Sequence, residues 1–128
     1  MIVDSSVVVA ILLGENEADG FGRKIANAAG CSISVVNYVE ASMVMEGRGG
    51  NAGGYRLDNL LREMRIELAP VTLEQAELAR DAWRRFGRGN HPAALNLGDC
   101  FSYALAKDTG EPLLFKGNDF TLTDIPAA

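Results

Sequence analysis

Residues 1–14 read MIVDSSVVVAILLG, and this stretch decides the fold class. Its apolar start, Met1–Val3, has the composition of a buried strand and stops at Asp4. Ser5–Leu13 then follows with apolar residues at helical spacing until Gly14, a residue type that commonly ends helices. The stretch therefore predicts a strand that leads directly into a helix, with an acidic residue at the junction.

The same alternation of strand and helix continues along the chain. We expect further strands at 32–36, 66–71 and 112–115, and helices at 16–29, 38–46, 57–64, 73–86 and 97–107. Thr72 and Asn96 are the expected N-caps of the last two helices. Strands that alternate with helices imply right-handed crossovers. We therefore predict a three-layer α/β/α sandwich with a central, mainly parallel sheet, in a single domain spanning residues 1–128.

Composition is that of an ordinary folded protein, with 48% hydrophobic and 23% charged residues. The longest apolar run, Val7–Leu13, is too short to cross a bilayer, and no basic leader precedes it. Cys31 and Cys100 have no Cys or His at zinc-like spacing, so we expect buried, reduced thiols. These features favour a cytoplasmic protein.

Acidic residues are expected to gather at one edge of the sheet. Asp4 follows the first strand, Asp119 lies just past the last strand, and Glu40 lies early in the helix after the second strand. Because the carboxyl ends of parallel strands meet at the same edge, these three side chains should converge.

Glu40 is the most informative of these acids. It shares a helical face with Val36, Val39, Met43 and Val44, and an apolar stripe of this kind should face the core. An ionised group in the interior costs several kcal/mol unless it is paired or bound to a metal. A metal ion and an arginine from elsewhere in the fold both remain open as its partner.

Asp99 lies in the first turn of a helix that is apolar nearly all round, so we expect it to be semi-buried. Structural roles are open for each acid. Asp4 could cap a helix, Asp99 could form a capping pair with Asn96, and Asp119 could start a turn. Together, however, four converging carboxylates repel one another unless a cation lies between them. Carboxylate oxygens favour Mg²⁺ or Mn²⁺, which can activate water against a phosphodiester.

The formal net charge of −5 is unusual for a protein that binds phosphates. Without the four acids, the remaining acidic residues nearly balance the 12 Lys and Arg. The cations gather before Asp99, at Arg80, Arg84, Arg85, Arg88 and His91. They could form a phosphate-binding flank. They could equally form a solvated helix face in which Arg84 pairs with Glu77 or Asp81.

Two further segments are interpreted as structural. The glycine-rich residues 47–54 lack the Lys-Ser/Thr ending of a phosphate loop, so we expect a flexible connection between helices. His91 stands alone in a polar loop and is expected to be a surface residue rather than a base.

Four segments resemble the PIN-domain ribonucleases, and specifically the VapC toxins of bacterial toxin–antitoxin pairs. They are IVDSS at 2–6, YVEA at 38–41, LNLGDCFSYALA at 95–106, and PLLFKGNDF at 112–120 followed by TDI at 123–125. The resemblance spans essentially the whole chain. It implies that Asp4 and Asp99 are principal metal ligands, that Glu40 and Asp119 complete the catalytic site, and that Ser6 supports Asp4 by hydrogen bonding.

The same resemblance implies a toxin that is a Mg²⁺- or Mn²⁺-dependent endoribonuclease, a homodimer, and inhibition by a cognate VapB antitoxin. Its substrates would include structured RNA with unpaired loops. Two other functions remain open. An aspartate-dependent phosphatase of the haloacid-dehalogenase type would need Asp-x-Asp, whereas Ser6 stands at the third position. A non-catalytic PIN-like binding module is disfavoured because all four acids are present.

Overall fold

The computed structural model describes all residues, 1–128. Its elements are β1 Ile2–Val3, α1 Ser5–Leu12, α2 Ala18–Asn27, β2 Cys31–Ser34, α3 Val35–Gly49, α4 Asn51–Glu63, β3 Ile66–Ala69, α5 Leu73–Phe86, α6 Leu97–Thr109, β4 Leu113–Leu114 and a 3₁₀ helix at Asp119–Leu122. The predicted order of strands and helices is confirmed, as are the N-caps Thr72 and Asn96. No helix is both long and apolar enough to span a membrane.

All strand pairs are parallel, and the order across the sheet is β3-β2-β1-β4. β1 is therefore central, with β2 on one side and β4 on the other. The backbone N–H of Asp4 continues this pairing by donating to the carbonyl of Leu114 at 2.9 Å. The residue after β1 is thus held at the middle of the sheet's carboxyl edge.

Two apolar cores lie on opposite faces of the sheet, which confirms the three-layer sandwich. On one face, α5 and α6 pack over Ile2 and Leu113, with Tyr103 buried between them. On the other face, α1, α3 and α4 pack over Val3 and Ile33. Because side chains alternate along each strand, even the two residues of β1 supply one side chain to each core.

The two cysteines are free and buried, as predicted. Burial raises the pKa of the Cys100 thiol to about 11. A thiol with so high a pKa is protonated at neutral pH and is a poor nucleophile.

The glycine-rich segment is not a flexible connection, so that prediction was wrong. Only Gly50 separates α3 from α4. A Cβ on Gly53 would lie 2.2 Å from the carbonyl oxygen of Met45, and one on Gly54 would meet the side chain of Glu46 at 2.4 Å. These glycines therefore allow the start of α4 to pack directly against the end of α3.

The apolar stripe of α3 faces solvent, which corrects the expectation that it would face the core. Val39 is 53% exposed and Met43 is 69% exposed. The buried face carries Asn37, Ala41 and Met45 instead. Both faces contain apolar residues, so helical periodicity could not choose between them. Ala41 is small enough for the closely packed side of the helix. On the same side, Asn37 Nδ2 donates to the Gly98 carbonyl of α6 at 3.0 Å.

Candidate metal centre

Asp4 is buried, with only 3% of its surface exposed. One carboxylate oxygen accepts from the backbone N–H of Ser6 at 3.0 Å, which caps α1. The other accepts from the hydroxyl of Ser102 on α6 at 2.5 Å. The expected hydrogen bond from Ser6 is present, and its backbone N–H is the donor. The Ser6 hydroxyl has a different partner, since it accepts from the Lys116 N–H at 3.0 Å. The supporting hydroxyl is that of Ser102.

Glu40 is half-buried on α3, and its carboxylate is directed toward the start of α6. The hydroxyl of Ser5 donates to Oε1. A Cβ on Gly98 would lie 2.3 Å from Oε2 and 2.6 Å from Cδ. The absence of a side chain at Gly98 therefore provides the space that the Glu40 carboxylate occupies.

The alternative that Glu40 pairs with an arginine is wrong. The ion pairs of the protein involve other carboxylates, and none includes Asp4, Glu40, Asp99 or Asp119. The negative charge at this edge of the sheet is thus not neutralised by Lys or Arg.

Asp99 caps α6 together with Asn96, as one interpretation of the sequence proposed. Its carboxyl is also affected by burial and by neighbouring charges. It forms a capping box in which the Asn96 side chain accepts from the Asp99 N–H at 2.9 Å, and Asp99 Oδ2 accepts from the Asn96 N–H at 3.0 Å. Burial raises the pKa of Asp99 to about 7, against the lowering effect of the Asn96 hydrogen bond. The charges of Asp4, Asp119 and Glu40 raise it further.

Asp119 begins the 3₁₀ helix that follows β4, and it is exposed. Its charge reaches Asp99, as do those of Asp4 and Glu40. Asp4, Glu40 and Asp119 thus lie near enough for their charges to act on Asp99, with Asp119 exposed and Asp4 buried. The joint role of the four acids as ligands of one metal ion stays a prediction.

The donor set fits a hard divalent cation. It consists of carboxylate oxygens in a partly desolvated place without a counter-charge, which are the ligands that Mg²⁺ and Mn²⁺ prefer. No three His, Cys, Asp or Glu side chains are arranged closely enough to hold an ion without movement.

Sequence reasoning missed three residues that position the acids, namely Ser5, Gly98 and Ser102. Ser102 follows Asp99 by three residues on one helix, so helical spacing places both on the same face and was a usable signal. Gly98 had no comparable signal, because only the packing of α3 against α6 reveals what its missing side chain makes room for.

The arginine cluster divides into two groups. The Arg85 guanidinium contacts the hydroxyl of Tyr103 at 3.2 Å, Asp124 at 3.4 Å and Asp81 at 3.5 Å, so it has a structural role. Arg84 and Arg88 form no ion pair and line a cleft between α5 and α6. The pairing of Arg84 with Glu77 or Asp81, one of the two open interpretations, is absent, because Glu77 pairs with Arg80 and Asp81 with Arg85.

His91 is half-buried rather than a plain surface residue. Its Nδ1 accepts from the backbone N–H of Ala93 at 3.0 Å, and its ring packs edge-on against Phe86 with 5.2 Å between ring centroids. These contacts give it a role in ordering the loop before α6.

Comparison with known proteins gives one consistent result. The PIN domain family model matches residues 1–126. Ribonuclease VapC of Mycolicibacterium smegmatis is 46% identical over 127 residues, covering 99% of this chain and 98% of that protein. Ribonuclease VapC30 of Mycobacterium tuberculosis is 45% identical over 125 residues, covering 98% and 95%.

Two solved structures share the fold. The crystal structure of Mycobacterium tuberculosis VapC20, described as a sarcin-ricin loop cleaving toxin, superposes with a TM-score of 0.79 at 15% identity, covering 99% of this chain and 97% of that one. A toxin–antitoxin complex from Klebsiella pneumoniae gives a TM-score of 0.72 at 18% identity, covering 96% and 92%.

The Gly98→Ala variant should weaken Mn²⁺ binding by about tenfold or more, the usual effect of disturbing a group that orients a ligand. The new Cβ would displace the Glu40 carboxylate, whose flexible side chain can move, so the melting temperature should stay close to that of the wild type. Calorimetric titration with Mn²⁺ measures the affinity. Gly47→Ala on α3 is the matched control, because a Cβ there meets no atom within 4 Å. Unchanged affinity in Gly98→Ala would remove Glu40 from the ligand set.

Asp99 should make the metal-free protein less stable as the pH rises. Its pKa is about 7 in the folded chain against an ordinary value of 3.8, so the folded state binds the proton more tightly than the unfolded state. Stability from this group is therefore greatest below about pH 4 and is lost as the pH rises toward about 7.

Chemical denaturation of the wild type and Asp99→Asn in EDTA measures this effect, because the variant lacks the titrating group. Between about pH 5 and pH 8, the wild type should lose about 1–2 kcal/mol of unfolding free energy relative to the variant. Millimolar Mn²⁺ should restore the loss at the higher pH. A difference that does not vary with pH would show that the pKa of Asp99 is not raised in the folded protein.

Proposed function

Because the chain belongs to the PIN domain family, we propose that it is a VapC-type toxin of a toxin–antitoxin system, an endoribonuclease that hydrolyses RNA phosphodiester bonds. The relatives named Ribonuclease VapC, at 45–46% identity over nearly their whole length, support this activity. The observation that carries the proposal is a set of four acids, Asp4, Glu40, Asp99 and Asp119, none of which pairs with Lys or Arg. The charges of the other three act on Asp99.

The proposed cofactor is Mg²⁺ or Mn²⁺, held by these four side chains. When held there, such an ion would provide for activation of water and for neutralisation of charge on the phosphate oxygens. Hydrogen bonds from Ser6 and Ser102 hold the Asp4 carboxylate in one orientation. Burial raises the pKa of Asp99 to about 7 in the metal-free protein, and a bound cation would favour its ionised form.

The exposed Asp119 lies on the side from which a large substrate arrives. An aspartate-dependent phosphatase receives no support, because the second aspartate of Asp-x-Asp is replaced by Ser6. Ser6 carries no charge, and its hydroxyl accepts a hydrogen bond from the backbone N–H of Lys116.

We also propose a single PIN-like domain that acts in the cytoplasm with a protein antitoxin as its partner. The family match to residues 1–126 supports one domain. The free thiols of Cys31 and Cys100 suit a reducing compartment. The structural neighbour from Klebsiella pneumoniae is a toxin–antitoxin complex, which supports an antitoxin partner.

The apolar stripe of α3 is the proposed homodimer surface. It comprises Val35, Val36, Val39, Met43 and Val44, and Leu97 of α6, itself 72% exposed, lies beside it. Glu40 is the only charged residue that lines it. A two-fold dimer places one patch against its own copy, so an apolar patch is self-complementary, whereas a charged patch would repel itself.

The Asp4→Asn and Asp99→Asn variants should each lower the rate of RNA cleavage by about 100-fold or more, because each removes a carboxylate that binds the ion. The assay incubates antitoxin-free protein with total cellular RNA in Mn²⁺ or in EDTA, and sequencing of the new ends identifies the cut sites. Asp19→Asn, an exposed acid on α2, is the matched control and should cleave normally. Cleavage by Asp4→Asn at the wild-type rate would refute the site.

Met43→Glu should convert the dimer to a monomer, because it places a charge on each copy at the centre of the proposed interface. Sedimentation equilibrium measures the molecular mass. Tyr55→Glu is the matched control, since Tyr55 on α4 is 67% exposed and lies outside the stripe, while Met43 is 69% exposed. A Met43→Glu variant that remains dimeric would place the interface elsewhere.

A further inference from the structure

A cleft lies between α5 and α6, next to the acidic site but outside it. Its volume is about 800 Å³, within the range of about 300–1,000 Å³ typical of ligand pockets. Its lining includes Arg80, Trp83, Arg84, Arg88, Leu97 and Phe101. Its walls are thus apolar and aromatic, with cationic side chains around them.

Trp83 is the only tryptophan of the chain, and it is 44% exposed. Its indole lies over Gly87, where a Cβ would stand 2.5 Å from Cε3 of the ring. Its carbonyl accepts from the Gly87 N–H at 2.9 Å and from the side-chain amide of Asn90 at 3.2 Å. Trp83 therefore packs against Gly87 while nearly half of its surface stays exposed, as a stacking surface requires.

The cations of the cleft are available to a ligand. Arg84 and Arg88 are exposed and form no ion pair or side-chain hydrogen bond. Arg80 has one contact, with Glu77 at 3.4 Å, and both side chains are more than half exposed, so this pair is weak. In a protein of net charge −5, these arginines form a local positive surface that favours an anionic ligand.

The cleft and the acidic site share one turn of α6. Asn96 and Leu97 line the cleft, and the Asp99 carboxylate accepts from the Asn96 N–H at 3.0 Å. One helical turn is about 5 Å long. Since Asn96 both lines the cleft and bonds to Asp99, the two places adjoin, and a strand bound at the acids would extend beside the cleft.

We propose that this cleft binds an unpaired nucleotide of the RNA substrate, with the base stacked on Trp83 and the adjoining phosphates bound by Arg84 and Arg88. The inference rests on the proposed ribonuclease function and assigns a substrate-binding subsite to it. Stacking on an aromatic face requires a base that is free of its duplex, so the cleft selects single-stranded or looped RNA.

Charge favours RNA over a protein in this cleft. The α3 stripe has no Lys or Arg among its lining residues, which suits an apolar partner. Three arginines surround the α5–α6 cleft, which suits a ligand that combines flat apolar groups with a repeating negative charge. A nucleotide strand has both properties.

The fluorescence of Trp83 reports on this cleft alone, because the chain has no other tryptophan. A short single-stranded RNA of mixed sequence should quench the emission when titrated into the full protein in EDTA, which prevents cleavage. The same RNA annealed to its complement should quench much less. Quenching by a synthetic acidic peptide but not by single-stranded RNA would overturn the proposal and identify a protein-binding groove.

Cleavage kinetics in Mn²⁺ provide the second measurement. Trp83→Ala should raise KM about tenfold with little change in kcat, whereas Trp83→Phe, which retains an aromatic ring, should recover most of the loss. Salt dependence of RNA binding tests the arginines. The Arg84→Ala/Arg88→Ala variant should reduce the slope of log K against log salt concentration by about 1.4 in magnitude. Arg23→Ala/Arg48→Ala removes two exposed charges from other helices and should leave the slope close to that of the wild type.

These outcomes separate the subsite from the ribonuclease function. If the wild type cleaves RNA in an Asp4-dependent manner but the cleft variants match it in KM and salt slope, the cleft proposal fails and the function stands. If the wild type cleaves no RNA and its fluorescence responds to none, the ribonuclease function fails as well.

Discussion

The buried carboxylate of Asp4 is a constraint that the arrangement of the layers must satisfy. A buried charge is costly unless hydrogen bonds or a counter-ion stabilise it. Asp4 obtains one hydrogen bond from Ser6 at the start of α1 and another from Ser102 on α6. Since α1 and α6 cover opposite faces of the sheet, the same carboxylate fixes both layers relative to β1.

The other acids extend this arrangement through small residues. Ser5 donates to Glu40, and Gly98 leaves space for the same carboxylate between α3 and α6. Asn37 adds a buried hydrogen bond between these two helices, from its side-chain amide to the Gly98 carbonyl at 3.0 Å. The acids are therefore held by contacts of small side chains and backbone, and no Lys or Arg neutralises their charge.

The start of α6 lies where the three surfaces with proposed functions adjoin. Asp99 belongs to the acidic site, while Leu97 lies at the border between the α3 stripe and the α5–α6 cleft. The stripe has an apolar lining without Lys or Arg, and the cleft is surrounded by arginines. Burial of the opposite face of α3 leaves the stripe exposed. Periodicity alone did not reveal this orientation of the helix.

The sequence by itself determined the order of the strands and helices and the parallel sheet, and it predicted that four acids lie near the carboxyl edge of that sheet. These follow from local patterns and from the rule that parallel strands end at one edge. It also placed the N-caps Thr72 and Asn96, because capping depends on neighbouring residues.

Only the tertiary structure decided which apolar face of α3 is buried, which arginines remain unpaired, and which small residues support the acids. Each depends on contacts between residues distant in sequence, such as Gly98 with Glu40 or Arg85 with Asp124. Periodicity assigns side chains to a face of a helix. The packing of neighbouring elements determines what that face contacts, because the partner is supplied by another part of the chain.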